Sequence, residues 1–355
     1  MKAAVYEGVR TVRVRDVPDP APSADDLVLR VRACGICGSD LHSYTTGAFV
    51  RPGQVMGHEF CGEVVEVGRN VQGLTVGERV TAMPFAACFA CPACVKGEYH
   101  LCYNAGGHAI AYGLPGAFAE YVRVPQATLG RNVFRLPDEL SDLAGATVEP
   151  LAVAVHAVEL ARPAIGARVV VVGAGLIGQC TIQVLKARGV ATVVVTEVSA
   201  RRAEMARRSG ADVVVDPARD DVVREVAAIV GSGPGGRGAA ADVVFDCAGV
   251  PAAFTQALRL VGPGGTLAIT AIYEEPVQLD PSRIVWREMK ILGTFGYRHE
   301  FPQTIELLRS GKVKTEPLVT DRFPLEQTDE GFQRQLAKDQ AMKVMIEPAR
   351  RGERA

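Results

Sequence analysis

The sequence predicts an α/β protein, with an irregular, mainly β region over residues 1–150 followed by a doubly wound parallel sheet covered by helices. Three observations carry that expectation. At 355 residues the chain is long for one core, given roughly 100–200 residues per domain. Its apolar share of 48%, with few aromatics and many Gly, Ala and Val, suits helices packed closely on a parallel sheet. The pattern also changes near residue 151, from short β-like runs broken by Gly and Pro to strands that alternate with helices.

The β-like runs of the first part are LVLRVRA, GEVVEVG, ERVTAMP and AEYVRVP. The second part reads RVVVVGAG, a helix through LIGQCTIQVLKARG, TVVVTEV, a helix through RRAEMARRSG, then DVVVD, DVVFDCAG and GTLAIT. The run GSGPGGRGAA is expected to be a flexible loop, since seven of its ten residues are Gly or Ala and no apolar period passes through it. Beyond about residue 290 come ILGTFGYRHEF, an amphipathic helix in FPQTIELLRSGKV and a final strand KVMIEP.

Composition narrows the function classes. A net charge of −1 with no basic block argues against a nucleic-acid partner. The opening MKAAVYEGVRTVRVRDVP lacks the apolar core of a signal peptide, and no stretch approaches an uninterrupted membrane span of about 20 residues. The expected compartment is therefore the cytosol. There, clustered thiols are more often metal ligands or reactive groups than disulfides, and nine is an odd count that pairing alone cannot satisfy.

Four of those cysteines fall in CFACPACVKGEYHLC, spaced Cys88-x2-Cys91-x2-Cys94-x7-Cys102. Four thiolates on a short loop can close a tetrahedral shell around zinc, with Pro92 and Gly97 turning the backbone. An iron–sulfur cluster and unligated thiols are the alternatives. The bacterial ferredoxin pattern, however, places its fourth cysteine three residues on and follows it with proline. A closed shell has no open position, so such a metal holds a loop rather than performing chemistry.

In VVVVGAGLIGQ, Gly173, Gly175 and Gly178 form a G-x-G-x-x-G run, with Leu176 and Ile177 inside it, between a valine strand and a helix. That context is the one a dinucleotide site needs: a tight turn, close backbone approach to pyrophosphate, close helix–strand packing and a helix N-terminus facing the phosphate charge. The next strand ends at Glu197, an acidic side chain able to accept from both adenosine ribose hydroxyls and to repel a 2′-phosphate. The plain alternative is a tight βα turn and a surface glutamate. Arg201 and Arg202, close by, could instead bind that phosphate.

CGICGSDLH and MGHEF supply Cys37, His58 and Glu59, a thiolate, an imidazole and a carboxylate that suit zinc, and VEPLAVAVHA offers Glu149. A surface His-Glu pair and a Cys34-x2-Cys37 redox motif are the plain readings. Taken in order, Cys-Gly-Ser-Asp-Leu-His, Gly-His-Glu, the four cysteines, Glu-Pro and the glycine fingerprint closely resemble the zinc-dependent medium-chain alcohol and polyol dehydrogenases. The resemblance covers nearly the whole chain, and Glu149, where simple-alcohol enzymes have cysteine, resembles the sorbitol, butanediol and threonine dehydrogenase branch.

That resemblance implies a Rossmann domain over 151–292 inserted into a GroES-like catalytic domain made of 1–150 and 293–355, with a cleft between them. It implies a catalytic zinc surrounded by Cys37, His58 and Glu149, with Glu59 a further or exchanging ligand, besides the structural zinc of the four cysteines. Ser39 matches the hydroxyl relay and His42 the histidine that passes the proton to solvent; local turn bonding is the alternative for both. NAD is the implied cofactor, with Arg202 accompanying Glu197 at the adenosine. The implied reaction is oxidation of a secondary alcohol with a neighbouring hydroxyl, 2,3-butanediol-like, with L-threonine or a cyclic polyol as alternatives, and the implied assembly is a homodimer or homotetramer. Segments around Tyr44, Phe49 and Phe118 are expected to shape the pocket. A zinc-free reductase would lack GHE and the four cysteines, and a non-catalytic, crystallin-like or regulatory relative would not need Cys37, Ser39, His42, His58 and Glu149 together. Cys34, Cys61, Cys180 and Cys247 read as buried small residues, and His156 as a packed or capping helix residue.

Overall fold

A computed structural model of the chain describes residues 1–85, 87–105, 108–236 and 238–348. The chain divides into two compact units, one of Met1–Glu149 with the segment from Arg298 onward and one of Pro150–Tyr297.

The second unit is built on six parallel strands, Arg168–Val172, Thr192–Thr196, Val213–Val215, Ala241–Asp246, Val261–Ile269 and Lys290–Gly293. Numbered along the chain, they lie in the order 3-2-1-4-5-6 of a dinucleotide-binding sheet. The valines explain why the first two form: Val169 to Val172 and Val193 to Val195 are 0–2% exposed, and fully burying each side chain stabilises the fold by roughly 1.5–3 kcal/mol. Helices Leu176–Arg188 and Ala200–Arg208 follow the first two strands as the pattern predicts. Helices Val222–Val230 and Pro251–Leu260 and the edge strand Lys290–Gly293 complete the alternation without having been read from the sequence. The glycine-rich run before the fourth strand is closed by a bridge between Ser232 and Ala239, with a single 3-10 turn at Pro234–Gly236.

The first unit opens on the hairpin Lys2–Gly8 and Thr11–Asp16. Its main sheet has seven strands, in which Leu27–Gly35 pairs with Glu59–Val67, with Tyr121–Val124 and with the last strand, Lys343–Glu347. The end of the chain is therefore laid beside its beginning. Leu27, Leu29, Val31, Phe60, Val64, Phe118 and Phe332 lie in the core under this sheet. Among the described residues, no helix is long and apolar enough to cross a membrane.

Candidate functional site

The four-cysteine lobe is shaped by short-range turns. Cys91 caps the helix Pro92–Val95, Pro92 occupies its first position, Gly97 turns the chain at φ 80, and one 3-10 turn, Tyr99–Leu101, delivers Cys102. The four sulfurs come within 4.8 Å of one another, with Cys88 to Cys94 at 3.9 Å and Cys91 to Cys102 at 4.0 Å. A tetrahedron with Zn–S bonds of about 2.3 Å has edges of about 3.8 Å, so the spacing is that of one bound ion. It is far from a disulfide, and no disulfide joins any of the nine cysteines. Amides of Cys88, Cys91, Tyr103 and Asn104 donate to these sulfurs at 3.3–3.5 Å. Such bonds favour thiolate, and backbone donors from Ala90 and Cys91 bring the Cys88 thiol down to about 6. Burial pushes Cys94 up to about 12, with Cys102 and Cys91 adding to it. Among the described residues, the lobe's own core is Ala87, Cys94 and Cys102 with a few half-buried neighbours, so a cation linking the sulfurs would add cohesion to a small core.

The second cluster sits where strand Leu27–Gly35 gives way to helix Gly38–Thr46. Cys37 is the helix N-cap, and Asp40, at the third helical position, accepts from the Cys37 amide at 3.0 Å. His58 immediately precedes strand Glu59–Val67. Donor atoms of Cys37, His58 and Glu59 lie within 4.8 Å of one another. Glu149, buried in the first turn of helix Val148–Ala161, is not one of the three gathered within that radius. Asp40 Oδ1 faces His58 Nδ1 at 3.6 Å, and both atoms are buried without a hydrogen-bond partner. That arrangement leaves Nε2 of His58 for a ligand role, with a carboxylate behind the ring to orient it and raise its basicity. Burial lowers the His58 pKa, yet Tyr112, Asp40 and Cys37 outweigh it and hold the ring well above the imidazole range. A place that stabilises positive charge among thiolate, imidazole and carboxylate donors fits a divalent cation such as zinc.

Two residues of this cluster escaped the sequence reading. Asp40 had a local signal, an acidic residue three positions after an N-cap. Lys343 had none beyond being a charge in an apolar strand. It is 1% exposed, ion-paired to Glu59 Oε2, which is equally buried, and donates to the Ile36 carbonyl at 2.8 Å. Burial lowers the Lys343 pKa, but Glu59 and Cys37 raise it further, so the ammonium stays charged. Gly35 makes the pair possible, because a Cβ there would collide with Glu59 Oε2 and stand 3.1 Å from Lys343 Cε.

Ser39 and His42 lie half-buried on the helix that Cys37 caps. Ser39 Oγ accepts from the Tyr112 hydroxyl at 2.6 Å, and the Tyr112 ring lies 5.3 Å from that of His58. Within the segments expected to shape the pocket, the Tyr44 and Phe118 side chains themselves lie in the core. Tyr44 is 0% exposed, stacked on Phe332 at 4.7 Å, with its hydroxyl bonded to Asp329 and Gln333. Phe118 is likewise fully buried, edge-on to Phe332 at 5.7 Å. Their rings serve the apolar layer between sheet and helix Thr328–Leu336, which the local sequence does not reveal. Phe49 differs: it is 62% exposed, at φ 67, with its ring 5.4 Å from His42. Cys34, Cys61 and Cys180 are buried as expected, whereas Cys247 is only half-buried and accepts from Thr270 Oγ1 at 3.2 Å.

In the second unit, Gly173 takes φ 88, and a Cβ there would meet Ala248 Cβ at 2.9 Å. A Cβ on Gly178 would collide with the Gly173 carbonyl, so the third glycine serves packing. At Gly175 only Arg202, at 3.9 Å, comes within 4 Å, which leaves backbone open to a ligand at the N-terminus of helix Leu176–Arg188. Half-buried Leu176 and Ile177 form that helix's first turn. Arg202 Nε is buried with no partner. The Glu197 oxygens accept from the amides of Ala174 and Ser199, each at 2.8 Å, which fixes the carboxylate while leaving lone pairs for further donors. Open backbone, an orphaned guanidinium nitrogen and a fixed carboxylate fit a dinucleotide. Asp246, missed by the sequence reading, shapes the neighbouring strand end: it accepts from Ala248 N at 3.0 Å, from Gly249 N at 3.3 Å and from the Tyr273 hydroxyl.

Comparison with known proteins agrees with this geometry. Residues 23–138 match the alcohol dehydrogenase GroES-like domain, and residues 177–310 match the zinc-binding dehydrogenase domain. The chain is 36% identical to a sorbitol dehydrogenase of Bacillus subtilis, over 99% of this chain and 98% of that one. It is also 36% identical to the (R,R)-butanediol dehydrogenase of the same organism, over 98% and 100%. The chain belongs to the zinc-dependent medium-chain alcohol dehydrogenase family. A crystal structure from Sinorhizobium meliloti 1021, described as a zinc-binding dehydrogenase bound to NADP, superposes with a TM-score of 0.88 at 34% identity, covering 98% of this chain and 99% of that one. In this family the fold is a GroES-like domain with a Rossmann sheet, and the chemistry is oxidation and reduction at CH–OH groups.

Two substitutions separate the roles of the buried groups. Cys94→Ala should remove one of two metal ions and lower the thermal midpoint, with the other ion retained; elemental analysis beside a melting curve reads both. Lys343→Met should destabilise the metal-free protein by about 3–5 kcal/mol in urea unfolding, because Glu59 is left buried without its cation. Added zinc should recover part of that loss, and unchanged stability of the metal-free variant would contradict the role given to the pair.

Proposed function

We propose that this dehydrogenase interconverts a secondary alcohol carrying a neighbouring hydroxyl, a vicinal diol or polyol of the 2,3-butanediol kind, with its ketone, using NAD. The observation that carries the proposal is the trio Cys37, His58 and Glu59 joined to a hydroxyl on the same helix: Tyr112 touches the His58 ring and bonds Ser39.

Cys37 and His58 would hold a catalytic zinc, with Glu59 a third donor shared with Lys343, and Glu149 reaching the ion only indirectly. Bound there, zinc acts as a Lewis acid that lowers the pKa of an alcohol hydroxyl toward neutrality. Asp40 fixes the His58 ring and, by accepting from the Cys37 amide, holds the start of the helix that presents Cys37. Ser39 accepts the substrate's proton, and His42, one turn further along the helix, hands it on toward solvent. NAD would be held with its diphosphate over Gly173, Gly175 and Gly178 and its adenosine ribose at Glu197 beside Arg202, and would supply the hydride acceptor. The four-cysteine zinc has no open position and serves the lobe alone. In this reading, 1–150 and 293–355 form the catalytic domain and 151–292 the cofactor domain.

Nine cysteines with no disulfide among them support a reducing, cytosolic setting. A homodimer or homotetramer is supported by the open edge of the parallel sheet at Lys290–Gly293 and by the helix that leads into it, where Val285 and Trp286 are 71% and 82% exposed.

The test is a panel of vicinal diols, polyols, L-threonine and simple alcohols with NAD and NADP. A diol should give the highest kcat/KM; activity confined to L-threonine or a cyclic polyol would replace the substrate, and inactivity on all would overturn the enzyme reading. With wild type, NAD should be preferred by about 100-fold or more, since a 2′-phosphate of roughly −1.5 to −2 charge would face the Glu197 carboxylate. Glu197→Ala should narrow that ratio by weakening NAD and admitting NADP. A wild-type preference for NADP would mean that Arg201 and Arg202 decide the choice.

A further inference from the structure

The Tyr112 hydroxyl bond to Ser39 is left unused by the relay as described, and the chain adopts a strained backbone to make it. Ala111, fully buried, has φ 74 and Gly113 has φ 109. The left-handed region is costly for a non-glycine residue and persists only where the surroundings impose it. Here they do: Tyr112 N donates to the Ala109 carbonyl at 2.9 Å and Ala111 N to the Leu114 carbonyl at 3.0 Å, closing a tight turn with Tyr112 at its tip. The ring packs against the main core of the first unit and against the His58 imidazole, 5.3 Å away. The phenol is thus held by two neighbours, with its hydroxyl 2.6 Å from Ser39 Oγ.

A serine hydroxyl has one proton to donate and two lone pairs that accept. Tyr112 fills one lone pair, so one acceptor and one donor remain. We propose that Tyr112 is a positioning residue that gives the Ser39 relay its direction. The lone pair left open receives the substrate's proton: the substrate O–H bond breaks as a new O–H bond forms on Ser39. The proton Ser39 already carried passes on to the neutral imidazole of His42, directly or along the relay. Ser39 ends neutral, and Tyr112 keeps its own proton throughout. The inference rests on the proposed relay through Ser39.

Tyr112→Phe keeps the ring and removes only the hydroxyl. Its kcat should fall about 10-fold while KM stays within about twofold, with zinc content and thermal midpoint those of wild type. In a Ser39→Ala background the same substitution should cost less than about twofold, because it acts through the missing hydroxyl. Equal losses in the two backgrounds would overturn the proposal, as would wild-type kcat in Tyr112→Phe or a loss of zinc parallel to the loss of kcat. Full turnover by Ser39→Ala would remove the relay and this inference with it. Inactivity of the wild-type chain on every alcohol would instead remove the proposed function.

Discussion

Asp40, Glu59 and Lys343 are each 1% exposed, and His58 is 6% exposed, all beside Cys37 at one end of strand Leu27–Gly35. Burying charge costs several kcal/mol per ion even after relaxation, so groups like these can be gathered only where each answers another. Lys343 answers Glu59, Asp40 answers the Cys37 amide and faces His58, and the donors Cys37, His58 and Glu59 still call for a cation. Much of the first unit can be understood as the means of meeting that constraint. Strand Lys343–Glu347 must return beside Leu27–Gly35 to deliver Lys343, Gly35 must lack a side chain, and the helix must start at Cys37 so that Asp40 can reach back.

The second unit solves a separate problem with different means. Its binding features come from backbone, not from buried charge: a positive φ at Gly173, an open approach at Gly175 and tight packing at Gly178. Glu197 and Asp246, at the ends of the second and fourth strands of the sheet, are tied down by backbone amides. Carboxylates anchored this way keep their position, and fixed acceptors suit the recognition of hydroxyls.

What was legible in the sequence was whatever is encoded over short distances. The valine strands, the glycine fingerprint and the cysteine lobe each fit within about a turn or two of chain, and their structures follow from local preferences. Lys343 and Tyr112 meet their partners across 284 and 73 residues, through strand pairing that no window of sequence contains. The packing of Tyr44 and Phe118 was hidden for the same reason: an aromatic near a catalytic motif looks the same in sequence whether it faces a pocket or Phe332. Glu149 and Glu59 are both acidic residues beside motif residues, and only the fold shows that Glu59 is gathered with Cys37 and His58.

The central claim is that the Cys37, His58 and Glu59 cluster holds a metal on which turnover depends. Titrating metal-free protein with zinc while following NADH formation from a vicinal diol tests it directly. The account predicts binding of two ions per chain, one for each ligand cluster, with turnover rising only as the second cluster fills. His58→Ala should stop at one ion and stay inactive. Full turnover without metal, or an active His58→Ala protein, would contradict the account.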